Sequence, residues 1–397
     1  MNIEDATQVY LATIPPDVMA ASKAYTTGGY WLDLWALAAS VAVTLILMRW
    51  GVLARMRDRI QRSGPRPAFT ALIVGAVFMG LSWVLELPWT IYAEWCRERA
   101  YNLTQQSFGD WIGQSALNAV VLMVLGGFFL MGLYALIRRA GKRWWMWGGG
   151  FAFVSILFGL LIGPVFIEPL FNDFTPIPEG PVKDAIVALA KDSGVPTDRI
   201  FVYDGSRQRS VLTANVSGFA GTMRIAVSDV ALKEATLPEV RAVVAHEIGH
   251  FVSGDVLKMV ATLSVLAMIG FFLVERMFAR LVAWFGAPSI TSISDPAGVP
   301  VLIMAIGAWL LLCQPIRNTL TRSFEAGADA YSLKVAREPD GLATALLKTA
   351  EYRDPTPHPI AEMLFHSHPS VANRIRMGMA WKAKNMASAD TASTPNN

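Results

Sequence analysis

The sequence predicts a mostly α-helical, polytopic membrane protein: six transmembrane helices and an α+β soluble unit that the last two of them split. Three observations predict it. Hydrophobic residues make up 53% of the 397-residue chain and charged residues only 16%, against about 25% charged in an ordinary soluble domain. Several apolar stretches reach about 20 residues, the length that crosses a bilayer as a helix. After the fourth stretch, and again after the sixth, the composition reverts to amphipathic helices, short strands and turn formers. The lipid bilayer is therefore the first partner implied. A formal charge of +3 is too small to argue for nucleic acid. The two cysteines, Cys96 and Cys313, have neither disulfide-framework nor metal-site spacing.

Residues 1–30 are polar, with Glu4, Asp5 and Asp17, and lack the basic start of a signal peptide. The first span is expected at 31–50, followed by a loop carrying Arg55, Arg57, Arg59, Arg62 and Arg66. The second covers 68–95 and encloses Glu86 and Pro88; the third, 111–137, has no charge. A basic turn (Arg138, Arg139, Lys142, Arg143) leads to the fourth, 144–167, whose start is crowded with tryptophans like an interfacial belt. Residues 1–168 thus make an N-terminal membrane domain. The second domain, 169–381, opens on turn formers at 172–180 and continues with an amphipathic helix at 181–193. Strands are expected at 200–203, 211–215 and 223–227. Two more spans lie near 259–282 and 299–316, and a disordered tail occupies 382–397. Glu86, Asn118, Glu275 and Arg276 fall in or beside spans, where polar groups face a bundle interior or a water-filled cavity.

The chemistry concentrates at Arg241-Ala-Val-Val-Ala-His-Glu-Ile-Gly-His250. His246 and His250 are one helical turn apart, so both imidazoles leave the same face. Glu247 can reach a metal-activated water without being a ligand, which is the zinc-protease arrangement. Thr236-Leu-Pro-Glu239 reads as a capping box with proline in the first turn, so the motif sits on a helix. A catalytic zinc keeps three protein ligands and an open position. The third candidate lies beyond the last spans, in Arg322-Ser-Phe-Glu-Ala-Gly-Ala-Asp329. Glu325 is the ligand, and Asp329, one turn on, is placed to orient a ligand histidine. The alternative is an exposed acidic pair on a solvated helix face.

Together these motifs resemble the M48 zinc metalloproteases, specifically the Ste24-type CAAX prenyl proteases, over nearly the whole chain. Residues 168–180 are similar to the family's entry into its protease domain. Tyr203-Asp-Gly-Ser206 with Ala214-Asn215 and Gly218, Arg322 to Asp329, and His368-Pro-Ser-Val-Ala-Asn-Arg374 match its later motifs in order. Tyr101-Asn102 and the glutamines after it resemble a membrane-domain motif.

The resemblance implies a zincin-like protease domain with one zinc ion on His246, His250 and Glu325, and Glu247 activating water. It implies Asp329 as orienter or proton donor and His368 and Arg374 beside the oxyanion. Ala214 and Asn215 would lie on an edge strand that takes the substrate as an added strand. The implied partner is a peptide or protein, lipidated or membrane-bound, met in a bacterial-type inner membrane or the endoplasmic reticulum. Ala100 and Tyr101 stand where the family has Gly-Phe, Gln208 interrupts a basic-serine run, and the chain begins one helix late. These departures bear on CAAX specificity and leave room for a broad-specificity quality-control protease, or for a non-catalytic metal-binding scaffold or transporter. If the spans alternate, the basic loops 49–66 and 138–143 lie opposite the protease segments, which by the positive-inside rule puts the site outside the cytoplasm. The resemblance to the eukaryotic members implies the cytosolic side.

Overall fold

The computed structural model describes residues 2–218 and 220–385. The C-terminal helix Val371–Asn385 continues past the start of the expected tail; its remainder, 386–397, lies outside the described residues.

The first membrane-length helix runs Pro16–Trp50, starting well before the apolar run that predicts it. Its polar half is helical because it packs on protein: Tyr30 bonds His366 at 2.6 Å, and Tyr25 donates to Glu98. Gly51, at φ 61°, ends it. The second runs Pro67–Thr90 and widens into π turns over Ile91–Cys96. Phe108–Ala140 and Trp144–Ile162 fold back on each other through Gly141–Arg143, with the rings of Phe129 and Phe151 5.2 Å apart. The fifth is Asp255–Trp284. The expected sixth is broken. Val299–Leu312 has 14 residues, about 21 Å of helix and short of a hydrocarbon core of about 30 Å. Beyond Cys313 the chain bends by 55° into Gln314–Ala336, with Pro315 in its first turn. Four continuous helical stretches, of which Phe108–Leu170 holds both the third and the fourth helix, and this bent pair therefore have span length and apolarity. Only 22–28% of the most apolar window of each of the four is buried in protein, so their outer faces need a hydrocarbon solvent.

Two of the polar residues expected in or beside spans, Glu275 and Asn118, have a partner or a cavity. Trp144 donates to Glu275 at 2.6 Å between two helices. Asn118 lines a cavity of about 540 Å³ together with Glu94, Gln106 and Gln114.

The soluble unit is built on a four-stranded sheet of order β1-β2-β4-β3: β1 Phe174–Pro176, β2 Ile200–Tyr203, β3 Ala214–Ser217 and β4 Arg224–Ser228. β1 pairs antiparallel with β2, in a stretch that reads from sequence as turn formers alone. β2 and β4 are parallel and β3 is antiparallel to β4, with Asn215 opposite Ala226. β4 is buried at every position, whereas β3, shifted towards the C-terminus of its expected 211–215, is the last strand of the sheet, with no further strand beside it among the described residues.

Beneath the sheet runs the helix Leu237–Ser253, whose Thr236–Glu239 capping box is present. Val240, Val244 and Ile248 pack its apolar face against Ile225 and Val227. Its other side meets the helix Gln314–Ala336 so closely that a Cβ on Gly249 would stand 3.1 Å from the Ala328 Cα and 3.1 Å from the Tyr331 Cβ. Ser332 seals the contact by donating to the Ala242 carbonyl at 2.7 Å. A third core, around Leu333, Leu346, Ile375 and Met379, takes in Leu11 from the first helix, Ile3–Leu11.

Candidate metal centre

His246, His250 and Glu325 come together although the membrane-length helix Asp255–Trp284 separates them in the chain. One donor atom from each lies within 4.8 Å of the others. Glu325 stands 3.3 Å from His246 Nε2 through Oε2 and 3.4 Å from His250 Nε2 through Oε1. The two Nε2 atoms are 3.2 Å apart, with the rings perpendicular. Donors on a tetrahedral ion at about 2.1 Å sit about 3.4 Å from one another, so the spacing fits one small cation. Glu325 is 5% exposed, and its buried Oε2 finds no hydrogen-bond donor among the described residues. A buried anionic oxygen facing two imidazole nitrogens is the environment a cation would satisfy.

The outer partners fix which nitrogens face inward. Asp329 accepts from His246 Nδ1 at 2.8 Å, and Asp255 accepts from His250 Nδ1 at 3.1 Å. With both Nδ1 atoms protonated, both Nε2 lone pairs point at the common centre. Asp255 is absent from the sequence-predicted set. The signal for it was the Gly254-Asp255 pair closing the helix: Gly254 takes φ 66° as left-handed cap, and the turn swings the next side chain back onto His250.

Asp329, fully buried, is gripped by both arms of Arg374, Nε to Oδ2 and Nη2 to Oδ1, each at 2.7 Å. The fork of Arg374 is thereby committed, and only Nη1 reaches towards Glu325, at 3.8 Å. Burial opposes ionisation of Asp329, but Arg374 and His246 outweigh it and hold the carboxyl below its usual range. His368 Nε2 lies 3.2 Å from Glu325 Oε1. Burial, reinforced by Arg353, pushes its pKa down to about 3, so the ring is neutral. Burial pushes the Glu247 carboxyl up, against the pull of both histidines. Glu247 shares a cavity of about 350 Å³ with the three clustered side chains, Ala214, Arg353, His368 and Arg374. Asn215, on the edge strand, has a buried Oδ1 without a donor among the described residues.

Glu247, His368, Arg374 and Ala214 thus line the cavity of the His246–His250–Glu325 cluster and Asp329 backs His246, whereas Asn215, the next residue of β3, is not part of that lining. Two protein-family models match the chain: "CAAX prenyl protease N-terminal, five membrane helices" over residues 4–173 and "Peptidase family M48" over residues 176–381. The chain is 26% identical to CAAX prenyl protease 1 of Saccharomyces cerevisiae over 363 residues, covering 86% of this chain and 76% of that protein. It is 26% identical to the human homolog over 410 residues, covering 88% and 83%. An uncharacterized metalloprotease of Bacillus subtilis, YhfN, is 24% identical over 368 residues, covering 91% and 85%. Among solved structures, S. mikatae Ste24p matches with a TM-score of 0.76 at 22% identity, over 92% of this chain and 90% of that one.

Proposed function

The chain belongs to peptidase family M48 and is a multi-pass integral-membrane metalloendopeptidase, and we propose that its metal is zinc, held by His246, His250 and Glu325. Two imidazoles and one carboxylate suit zinc, whereas calcium and magnesium favour oxygen donors alone. Zinc bound there supplies Lewis acidity, polarising a peptide carbonyl and lowering the pKa of a water to about 7.

The chain's own residues do the rest. Glu247 takes the proton of the attacking water and returns it to the leaving nitrogen; its burial raises its basicity for that task. Asp329 holds His246 in the required tautomer, and Arg374 holds Asp329. Neutral His368, at the rim of the cavity, donates to the oxygen that gains negative charge. Ala214 and Asn215, whose Oδ1 has no donor among the described residues, receive the peptide as a further strand beside β3. The supporting observation is the convergence of three donor side chains from opposite sides of a membrane-length helix.

The substrate we propose is a prenylated CAAX C-terminus, the target named in the description of the yeast and human relatives. Glu247→Gln should lower turnover about 100- to 10,000-fold while one zinc per chain remains. A chelator should abolish cleavage and added zinc restore it. Purified protein with stoichiometric zinc that cleaves no peptide would sink the protease reading. Equal cleavage of a prenylated CAAX peptide and an unmodified unfolded protein would replace CAAX processing by broad-specificity proteolysis.

A further inference from the structure

The cavity at the metal centre has a neighbour that the proposed mechanism does not use. A second cavity, about 310 Å³, lies beyond Tyr352, Arg353 and His368, which line both. Its far wall carries Tyr25, Tyr30 and Arg97.

Four arginines surround this region, and two are spoken for. Arg374 is bound to Asp329, and Arg209 pairs with Glu98 at 2.9 Å. Arg97 stacks 3.7 Å from the centre of the Tyr25 ring and donates to the Tyr25 carbonyl. Arg353 is half-buried, its guanidinium 5.3 Å from the Tyr352 ring centre. Among the described residues neither Arg97 nor Arg353 has a carboxylate in ion-pair contact. The acids in the same wall are otherwise engaged: Asp33 accepts from Gln314 at 2.8 Å, and Asp354 accepts from the Thr356 amide at 3.0 Å. A half-buried guanidinium without a counter-ion is costly in the free protein, and it is shaped to take a carboxylate through two parallel hydrogen bonds.

The sheet gives this cation a direction. A peptide added antiparallel to β3 has its N-terminal part beside Ser217 and its C-terminal part beside Leu212 and Thr213, which line the catalytic cavity with Arg353. At the Ser217 end lies a mostly apolar cavity of about 220 Å³, lined by Leu157, Leu160, Val216 and Leu257. The peptide thus runs from an apolar end, past Glu247, to an unpaired arginine.

We propose that Arg353, with Arg97 behind it, binds a substrate carboxylate on the C-terminal side of the cut bond. The C-terminal carboxylate of a peptide and an acidic side chain share this chemistry. The first would make Arg353 a gauge of the distance from the scissile bond to the chain end. The assignment rests on the reading of the site as a peptidase.

The test uses full-length, zinc-loaded protein in detergent and a quenched-fluorescent peptide ending in a free acid or an amide. An amidated pair with Glu or Gln at the last position separates the two sources. Wild type should favour the free acid about 10- to 100-fold in kcat/KM, the worth of a charge-assisted pair, with the difference in KM. Arg353→Gln should bring the acid-to-amide ratio close to one, and Arg353→Lys should keep part of it. Zinc content and thermal midpoint report whether each variant has folded. If Arg353→Gln does not fold, the wild-type and Arg353→Lys ratios decide. The same peptides, fluorescently labelled, are titrated onto Glu247→Gln protein, so that a carboxylate preference appears in Kd even if wild type cleaves neither. A Glu-over-Gln preference without an acid-over-amide preference assigns Arg353 to a side chain. Equal Kd and kcat/KM for charged and neutral forms of both pairs would overturn the proposal, as would Arg353→Gln slowing charged and neutral peptides alike.

Discussion

Asp255, the first residue of a 30-residue membrane-length helix, accepts a hydrogen bond from His250, the last histidine of the HExxH motif, at 3.1 Å. The helix that enters the bilayer is thus anchored to the metal site at its first side chain. Asp255 is 6% exposed, and Lys258 bonds its other oxygen at 3.1 Å. Asp255→Ala should weaken zinc binding about 10- to 100-fold, as read by competition with a chelator of known affinity. Unchanged affinity would mean that His250 is oriented by its helix alone.

Gly249 sets how near Glu325 can come. A methyl group there would meet the Ala328 backbone and Tyr331, and neither is the free end of a flexible side chain. Gly249→Ala should destabilise the protein by about 1–3 kcal/mol through overpacking and also lower zinc affinity, because the Glu325 helix is pushed away. A thermal scan of the apo-protein and a zinc titration read the two effects separately. A variant as stable as wild type would show that the helices can slide.

Glu239 carries a pH dependence remote from the metal. It is 2% exposed, and its Oε2 accepts from the Thr236 amide at 2.7 Å and from Lys348 at 2.8 Å. Burial works against its ionisation, but Lys348 and the amide prevail and hold its carboxyl below the ordinary 4.5. A carboxyl lowered on folding stabilises fully above its unfolded pKa, and that contribution is lost as pH falls through the folded one. Glu239→Gln should therefore cost about 1 kcal/mol at pH 7, the scale of a lost cap. The gap to wild type should close progressively below pH 4.5. Parallel stability curves across that range would reject the ionised cap.

The site's local parts were the legible ones. HExxH and the Glu325–Asp329 pair depend on one helical turn of spacing, which a helix imposes whatever surrounds it. Asp255 left only the faint signal of a glycine closing the helix before it, because its role depends on the left-handed turn that Gly254 makes. Arg353 lies in no motif, and its interest comes from what it lacks among the described residues, a counter-ion, which only tertiary contacts reveal. β1 was missed because three residues among prolines carry no alternation to read. The break at Cys313 was missed because the apolar run and the helix after it join into one plausible length. The match to the family accounts for the placing of His368 and Arg374, which spacing alone leaves undetermined.

The order in which the metal-binding side chains occur in the chain has a consequence during synthesis. A ribosome that has released the chain as far as Ser253 has delivered two imidazoles and the proposed general base, but neither Glu325 nor the Arg374 that steadies Asp329. On the proposed assignment, hydrolytic competence waits for the final helices to leave the exit tunnel, which would keep the nascent enzyme from attacking the unfolded segments emerging beside it.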